Sequence, residues 1–297
     1  MITIKTYKTI DFERYHLCLK ASAQYVFQAE RAYLEATNGT QWEFLVYGDY
    51  QAVMPIPIKK KFGWIKMVVL PPYLQQLGVF SPQDDASTNR LFYDFLIKHY
   101  LVYYYAFNAK NQLSELPHYK NYRLSSAPYA QVLKGYSVHR RRNVRPHDKK
   151  NQHLSFAKGS KASHYRNFFM NYAKGVERPQ LKAMYFSVLE ALEAAGKLEI
   201  YEMRHHQTLV SVVFLMKSEY CQSLIGFINN YELSTNASSY MIDCLLKNSI
   251  DHLDFNFNGS NVPSVSDFYH RFGAQLENYP VIPPSKVRVL KSLFRWN

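Results

Sequence analysis

Arg140, Arg141, Arg142, Arg145, Lys149 and Lys150 crowd into one short stretch with only Asp148 to oppose them. Guanidinium groups grip phosphate oxygens two at a time, so the cluster reads either as a phosphate cradle or as a solvated cationic helix face. Pro146 ends or kinks any helix there. Other chemistry-bearing residues stand in less suggestive patterns. His205 and His206 are adjacent, and neighbours on a strand face opposite sides, so a hairpin turn explains them better than a site. Cys18, Cys221 and Cys244 are odd in number and lack Cys-x-x-Cys spacing, which argues against a disulfide framework and against zinc. They are expected to be reduced core thiols, and no metal is indicated. Gly39, Gly63 and Gly78 form no phosphate loop, no Gly-x-Ser-x-Gly occurs, and no carboxylate pair stands at identifiable spacing.

The formal net charge of +13 can attract nucleic acid, an anionic membrane face or a phosphate-rich cofactor, and charge alone does not choose among them. With 47% hydrophobic and 20% charged residues the composition is that of an ordinary globular protein. The 16% aromatic content is high, and its 25 Tyr and 19 Phe belong in strands and half-polar clefts. A length of 297 residues implies two domains. No apolar run approaches the roughly 18 residues needed to cross a bilayer. The segment from Met1 to Tyr15 lacks the apolar core of a signal peptide, so a cytoplasmic location is expected.

The elements that must position these groups can be read from hydrophobic period and turn residues. In the first half a strand over 2–7 precedes a mixed helical region over 11–36, closed by Asn38-Gly39. A hairpin follows through 44–46 and 52–58, where Pro55 and Pro57 remove ladder donors and place the second strand at an edge or bending away. Residues 70–78 are extended, 87–98 helical, and 101–107 and 122–133 strands. Residues 134–150 read as a basic linker between domains at 1–133 and 151–297. In the second half a strand over 153–157, a helix over 161–173 and an amphipathic helix over 180–195 come first, the last with Leu181, Met184, Tyr185, Val188, Leu189 and Leu192 on its apolar stripe. Three hairpin-linked strands follow at 198–204, 209–217 and 220–228. Then come a helix over 235–251, a strand over 253–257, a helix over 263–272 and a strand over 275–282.

Strand, two helices, three antiparallel strands, helix, strand, helix, strand is the order in the GNAT acyltransferase fold. The run Asp254-Phe-Asn-Phe-Asn-Gly-Ser-Asn261 followed by Asp267-Phe-Tyr-His-Arg-Phe-Gly-Ala274 resembles the C-terminal pattern of FemAB-like and GNAT-family acyltransferases. The proline-rich tract Met54–Phe80, including Gln75 and Gln76, and the arginine-rich stretch from Ser137 resemble the earlier part of the same group. The resemblance spans nearly the whole chain. It implies an α/β (α+β) fold of two tandem GNAT-like domains, each a mostly antiparallel sheet flanked by helices, the first degenerate and the second retaining donor-binding geometry.

It also implies a site. In that fold two neighbouring strands splay, and the donor's amide-bearing arm enters where ladder bonds are missing. Here the strands would be 220–228, ending near Ile228, and 253–257. The loop with Ser234, Thr235, Asn236 and Ser238 sits where a coenzyme A pyrophosphate would meet a helix N-terminus. It lacks the usual glycines, so Ser234 or Thr235 reads equally as a simple helix cap. Phe268-Tyr269 followed by Gly273 matches the context of the tyrosine that serves many GNAT enzymes as general acid, and the same ring reads equally as packing. Asp254 is a candidate base or amine-orienting group. Ser260 is a candidate donor contact or a turn residue beside Asn258-Gly259. Arg140, Arg141, Arg142 and Arg145, with Gln75 and Gln76, are candidate contacts for substrate or polyanion. The implied activity is acyl transfer from a coenzyme A thioester to an amine of a small molecule or amino sugar. A Fem-type transfer from aminoacyl-tRNA and a non-catalytic polyanion-binding module are the alternatives.

Overall fold

The computed structural model describes residues 1–61, 65–232 and 235–289. The chain divides into two compact units, one of Met1–Tyr119 with Asn278–Asn297 and one of Lys120–Glu277. Residues 134–150, read from the sequence as a linker, lie inside the second unit.

Unit 1 contains β1 (Ile2–Thr6), α1 (Phe12–Ala21), α2 (Arg31–Asn38), β2 (Trp42–Tyr47), β3 (Ala52–Lys61), β4 (Ile65–Val69), α3 (Ala86–His99) and β5 (Leu101–Ala106). Asp11 and Asp85 cap α1 and α3 by accepting first-turn N–H groups. Strand order is β1-β2-β3-β4-β5, antiparallel except for the parallel β4–β5 pair. The core is aromatic, with Tyr15, Tyr33, Trp42, Phe44, Phe80, Phe92, Tyr105 and Phe107 buried. Its polar tips are satisfied: the Trp42 indole donates to Leu34 O (2.9 Å) and the Tyr15 hydroxyl to Ala29 O (2.8 Å).

The two prolines do not place β3 at an edge, because β3 lies between β2 and β4. Ile58 donates toward β2 and Val53 donates to Phe80 O on the other side. By alternation the missing donors of Pro55 and Pro57 face that other side, where the β4 ladder begins only at Ile58.

Unit 2 takes the second part of β6 (His118–Leu124), then α4 (Tyr129–Gly135), α5 (Val138–Asn143), β7 (Leu154–Lys158), α6 (Arg166–Tyr172), α7 (Pro179–Ala194), β8 (Leu198–His205), β9 (Thr208–Lys217), β10 (Cys221–Asn229), α8 (Ala237–Ser249), β11 (Asp254–Asn256), α9 (Pro263–His270) and the start of β12 (Gln275–Ile282). Strand order is β6-β11-β10-β9-β8-β7, antiparallel except for parallel β10–β11. The remainder of β12 returns to unit 1, pairing Val281 with Ala106 and Ile282 with Tyr105.

Two sequence readings change here. Residues 122–133 are not one strand, because Pro128 has no N–H to continue a ladder and the Asp251 carboxylate accepts the Tyr129 N–H (2.6 Å), starting α4. The buried face of α7 is rotated from the expected stripe. Phe186 packs on Phe169 at 5.3 Å, Lys182 lays its stem inward with its amine on Met170 O (2.7 Å), and Leu181 and Met184 are left 40% and 37% exposed.

Around α9 the chain closes tightly. Gly273 has φ +76°, and a Cβ there would stand 2.9 Å from Gly135 O. Both facts require glycine. Gly273→Ala is therefore expected to lower unfolding free energy by about 1–3 kcal/mol, read from the urea midpoint; an unchanged midpoint would show that the close approach carries no strain.

Candidate active site

The second unit opens between β10 and β11. Their parallel pairing runs only through Cys221↔Asp254, Gln222↔Phe255 and Ser223↔Asn256, whereas β10 continues to Asn229. A bulge between Leu224 and Gly226 turns β10 at that point. A Cβ at Gly226 would lie 3.0 Å from the Phe214 ring, so β9 packs closely against the bulge. Beyond it Asn230 donates to Val210 O, and by alternation Phe227 and Asn229 turn their backbone N–H and C=O groups away from β9, to the side β11 has left. Among the described residues no hydrogen bond takes these four groups. Ile228, between them, is buried and paired with Val212. The end of β10 is held by the Asn229 side chain, whose Oδ1 accepts the hydroxyls of Ser211 (2.7 Å) and Ser238 (2.9 Å).

Tyr269 borders this opening. Its ring lies 4.6 Å from Phe257, and its neighbour Phe268 lies 6.3 Å from Phe227. Burial raises the Tyr269 hydroxyl well above its ordinary value, with Tyr231 just past β10 adding to the rise. The hydroxyl is therefore a neutral donor at physiological pH, and among the described residues it has no hydrogen-bond partner. α9 is set in place at its start and middle: Pro263 occupies its first turn, Ser260 Oγ accepts the Val262 N–H (3.0 Å), and Ser266 meets the Tyr122 hydroxyl. Ser260 is thus spent on the turn that starts α9, after Asn258 and Gly259 at positive φ.

At the N-terminus of α8, Thr235 Oγ1 accepts the Ala237 N–H (3.3 Å), and Asn236 donates to Asp148 (3.4 Å) instead of capping. The first-turn N–H groups of Ser238 and Ser239 have no partner among the described residues. Ser234 lies outside the described residues.

Several expected site residues are elsewhere. Asp254 starts β11, at the paired end and not the open one. It holds β6, accepting Arg123 (3.1 Å) and the Ser126 N–H (2.9 Å). Arg140 is neither solvated nor free for phosphate: it is 4% exposed and stacked 4.2 Å from both Phe268 and Phe272. Its guanidinium donates to Ser239 Oγ and to Phe268 O (3.2 Å), tying α5 to α8 and α9, and burial beside Arg271 brings it down to about 10. Arg141, Arg142 and Arg145 remain exposed. Gln75 and Gln76 belong to unit 1, where Gln76 accepts the Ala109 N–H (2.9 Å) and Gln75 meets Tyr279.

Sequence reasoning passed over Gly226, although an isolated glycine in a strand is a bulge signal. It also passed over Asp243, a lone carboxylate in the apolar run Met241–Leu246. His206 and Gln207 form the turn of the β8–β9 hairpin, with His206 at φ +52° and His205 closing the ladder opposite Thr208.

No family model matches the chain, and no curated protein matches its sequence. Solved structures do match. FemX aligns with 93% of this chain and 96% of its own at 10% identity and a TM-score of 0.63. A tandem GNAT protein from the clavulanic acid biosynthesis pathway, solved without acetyl-CoA, aligns over 95% and 97% at 9% identity and 0.55. The fold is FemAB/GNAT-like. A conserved protein of unknown function from Bacteroides thetaiotaomicron shares it, over 95% and 99% at 10% identity and 0.52. In this FemAB/GNAT-like frame the parallel pair with a helix between occurs twice, as β4-α3-β5 and β10-α8-β11. Among the described residues no helix is long and apolar enough to cross a membrane, and no His, Cys, Asp or Glu group is arranged to hold a metal.

The cysteines are poor nucleophiles. Burial lifts Cys18 and Cys221 to about 11 and Cys244 to about 12, so the native thiolate fraction is small at pH 8. The folded state holds these protons more tightly than the unfolded one, so their contribution to stability is complete below pH 9 and is lost as pH rises through 11–12. A chromogenic disulfide reagent at pH 8 is expected to label the native protein slowly and the urea-unfolded protein fast. Rapid native labelling of any thiol would contradict this assignment.

Proposed function

We propose that the protein is a transferase that carries an acyl group from an activated donor to an amine, with the donor's amide-bearing arm lying against β10 in the opening beside Tyr269. The observation that carries this reading is the pair of outward-facing peptide groups at Phe227 and Asn229, next to a buried, protonated tyrosine hydroxyl that has no partner among the described residues. In a strand those groups normally find a ladder partner, and an extended amide chain supplies one. The N–H groups of Ser238 and Ser239 at the start of α8, without a partner among the described residues, suit the phosphates of coenzyme A. In the reaction the neutral amine nitrogen bonds to the acyl carbon, the carbon–sulfur bond breaks, and the proton that the nitrogen sheds passes to the departing thiolate, leaving an amide and a free thiol. The Tyr269 hydroxyl hydrogen-bonds the sulfur that leaves.

Asp254 takes no part, and the amine must reach the carbonyl with its lone pair free. Unit 1 supports a division of labour. There Leu70 donates to Tyr104 O, Leu77 donates to Ala106 O, and Phe80 bridges to Val53, so the chain's own segment bonds to β5 and β3. We therefore place donor binding in unit 2.

The acidity of Tyr269 favours a second reading. A thiol ionises near 8.5 and tyrosine near 10 before any upward shift, so full proton transfer to a departing thiolate is uphill. An alkoxide is a far stronger base than a phenolate, so a ribose hydroxyl leaving from an aminoacyl ester would take the Tyr269 proton readily. The exposed Arg141, Arg142 and Arg145 suit the RNA that would carry such an ester.

Acetyl-CoA at millimolar concentration is expected to raise the unfolding temperature. Tyr269→Phe should keep that rise while lowering amine acylation by about 10²–10⁴-fold. No thermal shift with acetyl-CoA, together with salt-sensitive binding of aminoacyl-tRNA, would move the assignment to the ester donor. Unchanged turnover in Tyr269→Phe would remove the tyrosine from either mechanism.

A further inference from the structure

A separate pocket of about 380 Å³ lies in unit 2 between α4, α5 and α8. None of the groups assigned to the strand opening lines it. Arg141 and Arg145 reach it from α5 and the turn beyond, and Lys247 from α8. All three are exposed, and among the described residues none of them forms an ion pair. A cationic face that served only solubility would need no cavity, and three unpaired cations around one mouth hold a local positive potential suited to phosphate.

The interior of the pocket is different in character. Leu133 and Val144 make it apolar, and the aromatic side chains of Tyr129 and Tyr240 line it. Asp243 stands among them, 6% exposed, and its Oδ1 accepts the Tyr129 hydroxyl at 2.8 Å. A carboxylate offers about four acceptor positions and no donor, so the hydroxyls of Tyr129 and Tyr136 still leave it able to take N–H groups from a ligand. Burial raises the Asp243 carboxyl, while the hydroxyls of Tyr129 and Tyr136 pull it back down.

Phosphate-binding cations at the mouth, ring-stacking side chains on the walls and a buried acceptor within belong together for one ligand chemistry. We propose that this pocket binds a nucleoside phosphate whose base carries an exocyclic amine, with the amine on Asp243, the base between Tyr129 and Tyr240, and the phosphates on Arg141, Arg145 and Lys247. Base stacking on aromatic side chains and acceptance of a base amine by a carboxylate are both standard recognition elements. The volume falls within the range of small-molecule sites. A free nucleotide and the terminal residue of an RNA present the same chemistry.

The test is calorimetric titration of the full chain with ADP, inosine diphosphate and pyrophosphate. ADP is expected to bind about tenfold more tightly than inosine diphosphate, which has no exocyclic amine, because the hydrogen bond is to a charged buried acceptor. The double variant Arg141→Glu/Arg145→Glu should weaken ADP by about tenfold or more, whereas Lys149→Glu/Lys150→Glu, which reverses two neighbouring exposed charges outside the pocket, should cost about twofold or less. Equal losses in the two double variants would reduce the effect to diffuse charge and overturn the proposal. Equal affinity for ADP and inosine diphosphate on the unaltered protein, or no binding of ADP at millimolar concentration, would overturn it without any variant that must fold. Displacement of bound ADP by a short RNA ending in unpaired adenosine would identify an RNA end as the source, and failure to displace would identify a free nucleotide. Tyr269→Phe should leave ADP binding intact, so the pocket and the transfer site can fail separately.

Discussion

Three parallel residue pairs join β10 to β11, and the rest of β10 goes on without that partner. Most of the second unit follows from this. A strand with unsatisfied peptide groups is costly if buried and sticky if exposed, so the structure must either cover it or use it. The bulge at Leu224–Gly226 turns β10 away, while β11 crosses to β6, where Phe255 and Asn256 pair with Leu124 and Arg123 and Phe257 donates to Tyr122 O. The Arg123–Asp254 pair is partly exposed and contributes about 0–1 kcal/mol at most, so it serves register more than stability. The aromatic cluster of Phe255, Phe257, Phe268, Tyr269 and Phe272 then fixes α9 against the parted strands.

The first unit shows the same element order resolved the other way. Its parallel pair β4–β5 stays bonded through Leu70, and the segment up to Phe80 takes the free positions of β5 and β3. Gly78 permits this, because a Cβ there would stand 2.8 Å from the Asn108 N atom. The two halves thus differ in what fills one gap: the chain's own backbone in unit 1, and an open edge in unit 2. This difference, and not any single side chain, is what supports the proposal that the chemistry lies in the second half.

Much of this was legible in the sequence. The order of elements from Leu154 onward follows from period and punctuation, because the β8–β9 and β9–β10 connections are short hairpins and α7 starts at a proline and ends before Gly196. The alternation of Tyr122–Leu133 misled because Pro128 and the distant Asp251 decide where the strand stops. Tyr269 was singled out through its resemblance to a motif, and the structure packs its ring on Phe257, with its neighbour Phe268 near Phe227. Asp254 and Arg140 were misplaced for a common reason. A charge announces polarity along the chain, but whether it meets solvent, a partner or two phenyl rings is set by residues more than 90 positions away, Arg123 for the one and Ser239 and Phe268 for the other. Asp243 was hidden by the apolar run around it.

The peptide groups of Phe227 and Asn229 face away from β9, and the proposed donor would pair its amide chain with them. Amide hydrogen exchange resolved at single residues tests this pairing directly, with and without a non-hydrolysable acyl-CoA analogue. The Phe227 and Asn229 amides are expected to exchange much faster than those of Gly226 and Ile228 in the free protein and to become protected in the complex. Equal slow exchange at all four positions without ligand, unchanged when the analogue is added, would mean that β10 is already fully paired and has no place for a donor.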